Sequence, residues 1–288
     1  KMDYIFLLLV LTYLLGPTLI SFYIGVRWHA ISNKYQKNTQ RYLTFLFGIH
    51  YIIMIFFIRC SFLISLVSNI FLLLGVFLGN KFQVMGITGG IATGKSTVSS
   101  MLQETGFEVI DSDKISKEVS NDPRTIQEIK NTFGHDVFGV DGQLDRVKLG
   151  DLVFKNKAKR KQLNGIMQGK IFWRMFKEFY RIRFVEKKNS IVLDVPLLYE
   201  TKIFEYICYP IIVVAVDDED KVKKRLMHRN QLTEDQALDR MKSQMPLKLK
   251  CEKADIIVNN SGNFGDLQKE FGDNTVKQII NCLKYKDE

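Results

Sequence analysis

The stretch Gly89-Gly90-Ile91-Ala92-Thr93-Gly94-Lys95-Ser96 constrains this chain more than any other. It fits the pattern G-x-x-x-x-G-K-[ST], and its flanks supply the context that pattern needs. Phe82 to Thr88 ahead of it is an apolar run of strand length, and Thr97 to Glu104 behind it carries Val98, Met101 and Leu102 at helical spacing. Strand, glycine loop and helix in that order turn backbone N–H groups inward around phosphate oxygens, and the helix N-terminus adds its dipole. Residues Gly89, Gly90, Ile91, Ala92, Thr93, Gly94, Lys95, Ser96 and Thr97 are therefore the expected nucleotide cradle. Lys95 is expected to reach the β- and γ-phosphates, and the Ser96 hydroxyl to ligate Mg²⁺. The competing reading, a glycine-rich turn arising by chance, leaves both matching flanks unexplained.

Hydropathy divides the chain sharply at about residue 80. Leu, Ile, Phe and Val dominate residues 1–80, whereas residues 81–288 have an ordinary globular mix. Ile5 to Val26 is a run of 22 residues without a charge, and a bilayer core takes about 20 apolar residues in a helix. Leu43 to Ile58 and Phe62 to Gly79 are further apolar runs, split by Arg59-Cys60-Ser61. These runs predict two or three transmembrane helices. The basic segment Arg27 to Arg41 then lies in the cytosol, and the chain returns to the cytosol at Lys81. On this reading the protein is integral to a membrane, with residues 81–288 facing the cytosol. A secretory signal is the rival for Ile5 to Val26, but the run is long for one and no A-x-A site follows it.

The formal net charge is +10, which favours anionic partners, and phosphorylated small molecules suffice. No basic-aromatic motif calls for nucleic acid. Cys60, Cys208, Cys251 and Cys282 have neither disulfide-framework nor zinc-ligand spacing, and the four histidines are scattered. From Phe82 onward, short apolar strands alternate with helical stretches, the signature of βαβ units and a parallel sheet.

The later strands carry the remaining candidates. Phe107 to Ile110 ends in Asp111-Ser112-Asp113, at the kind of strand end where open α/β sheets bind ligands. Asp113 is a candidate for proton abstraction or metal binding. Asp111 reads equally as a ligand group or as the N-cap of a helix running through Val119. Ile191 to Val195 places Asp194 at a Walker-B-like position for Mg²⁺, with an acid that caps the following turn as the competing reading. Asp220 to Arg229, after the strand Ile211 to Val216, is a basic helix with Arg225 and Arg229 on one face. It is either a lid over phosphates or a solvated surface. Thr233 and Gln236 form a capping box that opens a helix through Met245. Ala254 to Val258 is a fifth strand, followed by the loop Asn259 to Gly262. Helices are also expected over Thr125 to Phe133, Val147 to Phe154, Ala158 to Lys187 and Phe264 to Leu283, with a turn at Asp141-Gly142.

Several strings taken together resemble the dephospho-coenzyme A kinase family. They are Gly86 to Thr97, Val109 to Asp113, Leu144-Asp145-Arg146 and Asp194-Val195-Pro196-Leu197-Leu198-Tyr199-Glu200. Arg225 to Asn230, Arg240 to Gln244 and Ala254 to Asn260 complete the set. The match runs in order from about Phe82 to about Leu283. Arg229-Asn230 and Pro196 to Thr201 are similar to the animal proteins that carry this kinase domain. The resemblance implies a P-loop NTPase fold like that of nucleoside-monophosphate kinases, with a five-stranded parallel sheet, a helical substrate region and a mobile lid. It implies ATP-dependent phosphorylation of the ribose 3′-hydroxyl of dephospho-CoA, with Mg²⁺, to give CoA. Asp113 would be the base or orienting group, and Lys95 with Arg225 and Arg229 would stabilise the moving phosphoryl. Ser96 and Asp194 would hold the metal, and Asn260 would lie near the adenine. Two positions depart from the family pattern: Gln168-Gly169 stands where His-Pro is usual, and Val222 where glutamine is common. Two other readings remain, a kinase of the same fold with another small acceptor, and a nucleotide-binding scaffold without turnover.

Overall fold

The computed structural model describes residues 19–27, 48, 52, 62–82, 84–139 and 142–283. From residue 62 onward the elements are α1 (Phe62–Lys81), β1 (Val84–Gly89), α2 (Lys95–Glu104), β2 (Glu108–Asp111), α3 (Ser112–Asn121), α4 (Pro123–Phe133), α5 (Arg146–Lys155) and α6 (Lys157–Tyr180). Then come β3 (Ile191–Asp194), α7 (Ile203–Ile207), β4 (Cys208–Ala215), α8 (Glu219–Asn230), α9 (Glu234–Lys242), α10 (Leu247–Lys253), β5 (Ile256–Asn259), α11 (Phe264–Glu270) and α12 (Val276–Leu283). The strands form a five-stranded sheet of order β2-β3-β1-β4-β5. The chain divides into two compact units, Lys1–Lys95 with Leu197–Glu288, and Ser96–Pro196.

In the first unit β4 pairs in parallel with both β1 and β5. All residues of β1 and β4 are buried, which is why both read as continuous apolar runs rather than alternating ones. β5 alternates buried and exposed residues, as befits the edge position it holds in the strand order. In the second unit β2 and β3 pair in parallel, and their register sets Asp111 opposite Asp194. A separate helical core forms there around Ile129, Val137, Phe138 and Leu149, with Ile126, Phe133, Leu163 and Ile166 packed on it.

Local chemistry fixes the helix starts. Asp111 N-caps α3, accepting from the N–H groups of Asp113 and Lys114, so its capping role is realised. Asp122 caps α4 with Pro123 at its first turn, Asn156 caps α6, and Asp218 caps α8. The capping box of Thr233 and Gln236 forms as expected, but α9 ends at Lys242, where the Ser243 hydroxyl donates to the Arg240 carbonyl. The long helix expected through Lys187 gives way at Arg181–Val185 to a π-helical turn that buries Ile182 and Arg183. A second π turn, Phe271–Thr275, interrupts the last helix. Cys208, Cys251 and Cys282 are free thiols. Cys60 and Asp141 lie outside the described residues.

The membrane reading is overturned. Among the described residues no helix is long and apolar enough to cross a membrane. The predicted spans, the integral-membrane placement and a cytosol-facing orientation are therefore not upheld. Residues 19–26 are helical. This helix packs on α1 by glycine contacts: a Cβ at Gly25 would lie 2.1 Å from the Val76 carbonyl oxygen, and one at Gly79 2.0 Å from that of Phe22. Arg27 then pairs with Asp255 at 3.0 Å and lies over the rings of Tyr23 and Tyr209. This apolar sequence is thus tied to the sheet of its own unit. Ile5 to Thr18 and most of Leu43 to Ile58 lie outside the described residues.

Candidate active site

In the first unit β1 runs directly into the glycine loop. The Thr93 hydroxyl donates to the Gly90 carbonyl at 2.9 Å and folds the loop back on itself. Gly94 has φ +89°, and a Cβ there would lie 2.2 Å from Asn260 Nδ2, so both conformation and space demand glycine. Asn260 Nδ2 donates to the Thr93 carbonyl at 2.8 Å. The Asn260 side chain therefore holds the far end of the loop. At the near end, Lys250 Nζ donates to the Gly89 carbonyl at 3.2 Å and pairs with Glu200 at 3.0 Å. Lys95 opens α2 beyond the loop.

Beside this loop lies a cavity of about 620 Å³, lined by Gly90, Ile91, Asp217, Met241, Met245 and Leu247 among others. Its mixed apolar and polar wall suits a planar base with a few polar edges. Asp217 accepts from Asn259 Nδ2 at 2.7 Å and from the Ser261 hydroxyl at 2.9 Å. Those two donors, Asn259 first, hold its carboxyl below the usual carboxylate range. Arg225 is half-buried on α8 and donates to the Asn260 carbonyl at 3.4 and 3.5 Å. Arg229, one turn on, is exposed and donates to its neighbour Asn230. Asn260 thus joins the loop to Arg225, and Arg229 is not drawn into that network.

In the second unit Asp194 is buried, and its Oδ2 accepts a 2.6 Å hydrogen bond from the Ser99 hydroxyl. Ser96, Ser99, Asp111, Lys114, Arg174 and Asp194 are among the residues lining a cavity of about 440 Å³. Asp113 is exposed in the first turn of α3, and it is Asp111 and Lys114 from this turn that line the cavity. Thr97 is half-buried, one residue along α2 from Ser96. A serine hydroxyl and a buried carboxylate on one cavity fit Mg²⁺, a hard cation that takes few protein ligands and keeps waters and substrate phosphates. No group of three or more His, Cys, Asp or Glu side chains converges among the described residues. Gln168 and Gly169 are exposed in the middle of α6, and a Cβ at Gly169 meets open space.

Sequence reasoning missed Lys250 and Ser99. A lysine in a short basic helix reads as surface, yet Lys250 is fully buried while its apolar neighbour Leu249 is 46% exposed. The signal was the Glu200 of the Pro-Leu-Leu-Tyr-Glu string, an acid that follows an apolar run and calls for a cation once it is partly withdrawn from water. Ser99 follows Ser96 by three residues, the spacing that stacks side chains on one helix face.

A phosphate loop between a buried strand and a helix, braced from the C-terminal half and followed by an arginine-bearing helix, defines a nucleotide-dependent phosphotransferase of the P-loop class. A family model described as dephospho-CoA kinase matches residues 83–266. The chain belongs to the dephospho-CoA kinase family. It is 39% identical over 205 residues to a dephospho-CoA kinase of Carboxydothermus hydrogenoformans, covering 71% of this chain and 96% of the relative. It is 37% identical over 194 residues to one of Arabidopsis thaliana, covering 66% and 81%. Among solved structures, one from Thermus thermophilus matches with a TM-score of 0.57 and 28% identity, covering 67% of this chain and 96% of that one. The dephospho-CoA kinase of Campylobacter jejuni matches with a TM-score of 0.52 and 27% identity, covering 68% and 97%.

Proposed function

We propose that this chain transfers the γ-phosphoryl group of ATP to the ribose 3′-hydroxyl of dephospho-CoA, giving CoA and ADP. The observation that carries the reading is the family match over residues 83–266, which includes the phosphate loop, the Asp111-to-Asp113 turn, both α8 arginines and Asn260. The catalytic region is residues 81–288.

In this reaction the 3′-hydroxyl oxygen attacks the γ-phosphorus in line, its proton passes to the Asp113 carboxylate, and the bond to the β,γ-bridging oxygen breaks. Phosphoryl transfer demands positioning and charge neutralisation more than covalent chemistry. Lys95 supplies a point charge to the β- and γ-phosphates. Arg225 and Arg229 approach the transferring group once the nucleotide is bound, and Arg225 leaves the weak contact it makes with the Asn260 carbonyl. The loop N–H groups from Gly90 to Thr97 hold the phosphate oxygens. Ser96 and Asp194 would hold Mg²⁺, which would supply neutralisation of phosphate charge.

The test incubates the full chain with Mg²⁺-ATP and dephospho-CoA and follows CoA by mass. CoA made by the wild type and largely lost in Lys95→Ala and Asp113→Asn supports the reaction and both roles. ADP without CoA points to another acceptor. ATP binding without turnover points to a scaffold, and either result overturns the reading.

A further inference from the structure

Lys250 is a fully buried lysine that the catalytic scheme does not use. It lies on α10, beyond Pro246, where its Nζ donates to the Gly89 carbonyl at 3.2 Å and pairs with Glu200 Oε1 at 3.0 Å. The same Glu200 oxygen accepts from the Met245 N–H at 3.0 Å. Stability alone is a poor explanation for this arrangement. Burying two charges carries a desolvation penalty that a matched apolar pair avoids. The burial is also incompletely compensated, because Glu200 Oε2 is buried without a hydrogen-bond partner among the described residues.

What distinguishes the pair is the group it holds. Gly89 is the last residue of β1 and the first of the phosphate loop. The Gly89-Gly90 peptide joins two non-proline residues and is trans. In a planar trans peptide the C=O and the following N–H point to opposite sides. A donor that fixes the Gly89 carbonyl therefore also fixes the direction of the Gly90 N–H. The loop repeats the device. Asn260 Nδ2 holds the Thr93 carbonyl and so sets the Gly94 N–H, while the Thr93 hydroxyl holds the Gly90 carbonyl and so sets the Ile91 N–H. An anion site needs N–H groups turned toward it and carbonyls turned away, and three loop carbonyls are held by three side chains.

We propose that Lys250, anchored by Glu200, is a positioning residue for the nucleotide: it holds the Gly89 carbonyl so that the Gly90 N–H faces the phosphates. The proposal rests on the kinase reading for its ligand, ATP, and is independent of the acceptor.

The test compares full-length Lys250→Met, Lys250→Arg and the double variant Lys250→Met/Glu200→Gln. ATP affinity is measured by calorimetry without acceptor, alongside unfolding temperature. Lys250→Met leaves the part-buried Glu200 carboxylate without its cation, so it is expected to lower the unfolding temperature and to weaken ATP binding about tenfold. The double variant removes that stranded charge. It is expected to recover much of the unfolding temperature while ATP binding stays about tenfold weak, because the Gly89 carbonyl still lacks its donor. Lys250→Arg, which keeps a donor, is expected to restore part of the affinity, and KM for dephospho-CoA is expected to hold in every folded variant. Recovery of ATP affinity together with unfolding temperature in the double variant would reduce the pair to packing and overturn the proposal. Wild-type affinity in folded Lys250→Met would overturn it as well. Should Lys250→Met not fold, the other two variants decide. Absence of CoA in the wild type would count against the acceptor alone, since the affinity comparison uses none.

Discussion

Asn260 Nδ2 lies 2.8 Å from the Thr93 carbonyl oxygen, joining two residues 167 apart in sequence. The contact brings the loop after β5 onto the phosphate loop, and the Asn260 carbonyl in turn receives Arg225. The family resemblance led to an expectation of Asn260 beside the adenine. Its side-chain amide donates to the loop backbone. Asn260→Ala leaves a buried carbonyl without that donor, at a cost of about 1–3 kcal/mol. ATP affinity is expected to fall about tenfold or more, with little change in KM for dephospho-CoA. Calorimetry with ATP and steady-state kinetics in both substrates check this. Unchanged ATP affinity would confine Asn260 to a role outside the loop.

Gly94 is coupled to the same amide. Any side chain at 94 meets Asn260 Nδ2 at 2.2 Å and sits at φ +89°, a conformation that costs an L-residue about 1–3 kcal/mol. Gly94→Ala is expected to abolish measurable ATP binding while leaving the sheet folded. In an Asn260→Ala background the steric part of the penalty vanishes and the backbone part remains. A double-mutant cycle on unfolding free energy should therefore show coupling of about 0.5 kcal/mol or more. Strict additivity would mean that the two residues do not meet.

These contacts explain what could and could not be read from the sequence. The phosphate loop was legible because its chemistry is local: glycine positions, a lysine and a hydroxyl at fixed offsets, framed by a strand and a helix. Asp194 at the end of β3 and the cap at Asp111 were legible for the same reason. Lys250 and Asn260 act on backbone carbonyls more than 150 residues away, and no local pattern encodes the partner of a carbonyl. On α10 the pattern even misleads, since Leu249 is exposed while Lys250 is buried. The apolar N-terminal runs misled differently. Hydropathy reports that a helix shuns water, but not whether lipid or a second helix covers it. Gly25 and Gly79 allow the second arrangement through backbone approach.

Ser99 is the second residue that acts through another. Its hydroxyl fixes Asp194 Oδ2 at 2.6 Å in a buried setting, so Ser99→Ala leaves the carboxylate less restrained and less well solvated. The kcat for CoA formation is expected to fall about tenfold, equivalent to about 1.4 kcal/mol, and the Mg²⁺ dependence to shift to higher concentration. ATP affinity measured without Mg²⁺ should hold. Loss of metal-free ATP affinity in Ser99→Ala would place the residue in the nucleotide cradle instead.

Asp217 makes the pH dependence testable. Asn259 Nδ2 and the Ser261 hydroxyl hold its carboxyl below the ordinary value of 3.8. A depressed folded-state pKa contributes stability that is fully present above the unfolded value and is lost as pH falls through the folded value. The unfolding temperature of Asp217→Asn should therefore lie below that of the wild type by a constant gap from about pH 7 down to about pH 5, narrowing below about pH 4. Both partners of Asp217 are neutral, so 1 M salt, which cuts the screening length to about 3 Å, should leave the gap nearly intact. By contrast, the gap produced by Glu234→Gln, whose carboxylate pairs with Lys223 at 2.6 Å, should shrink in the same salt. Thermal unfolding across pH and at two ionic strengths separates the cases. An Asp217→Asn gap that widens on acidification would show that the carboxylate is not stabilised by these donors.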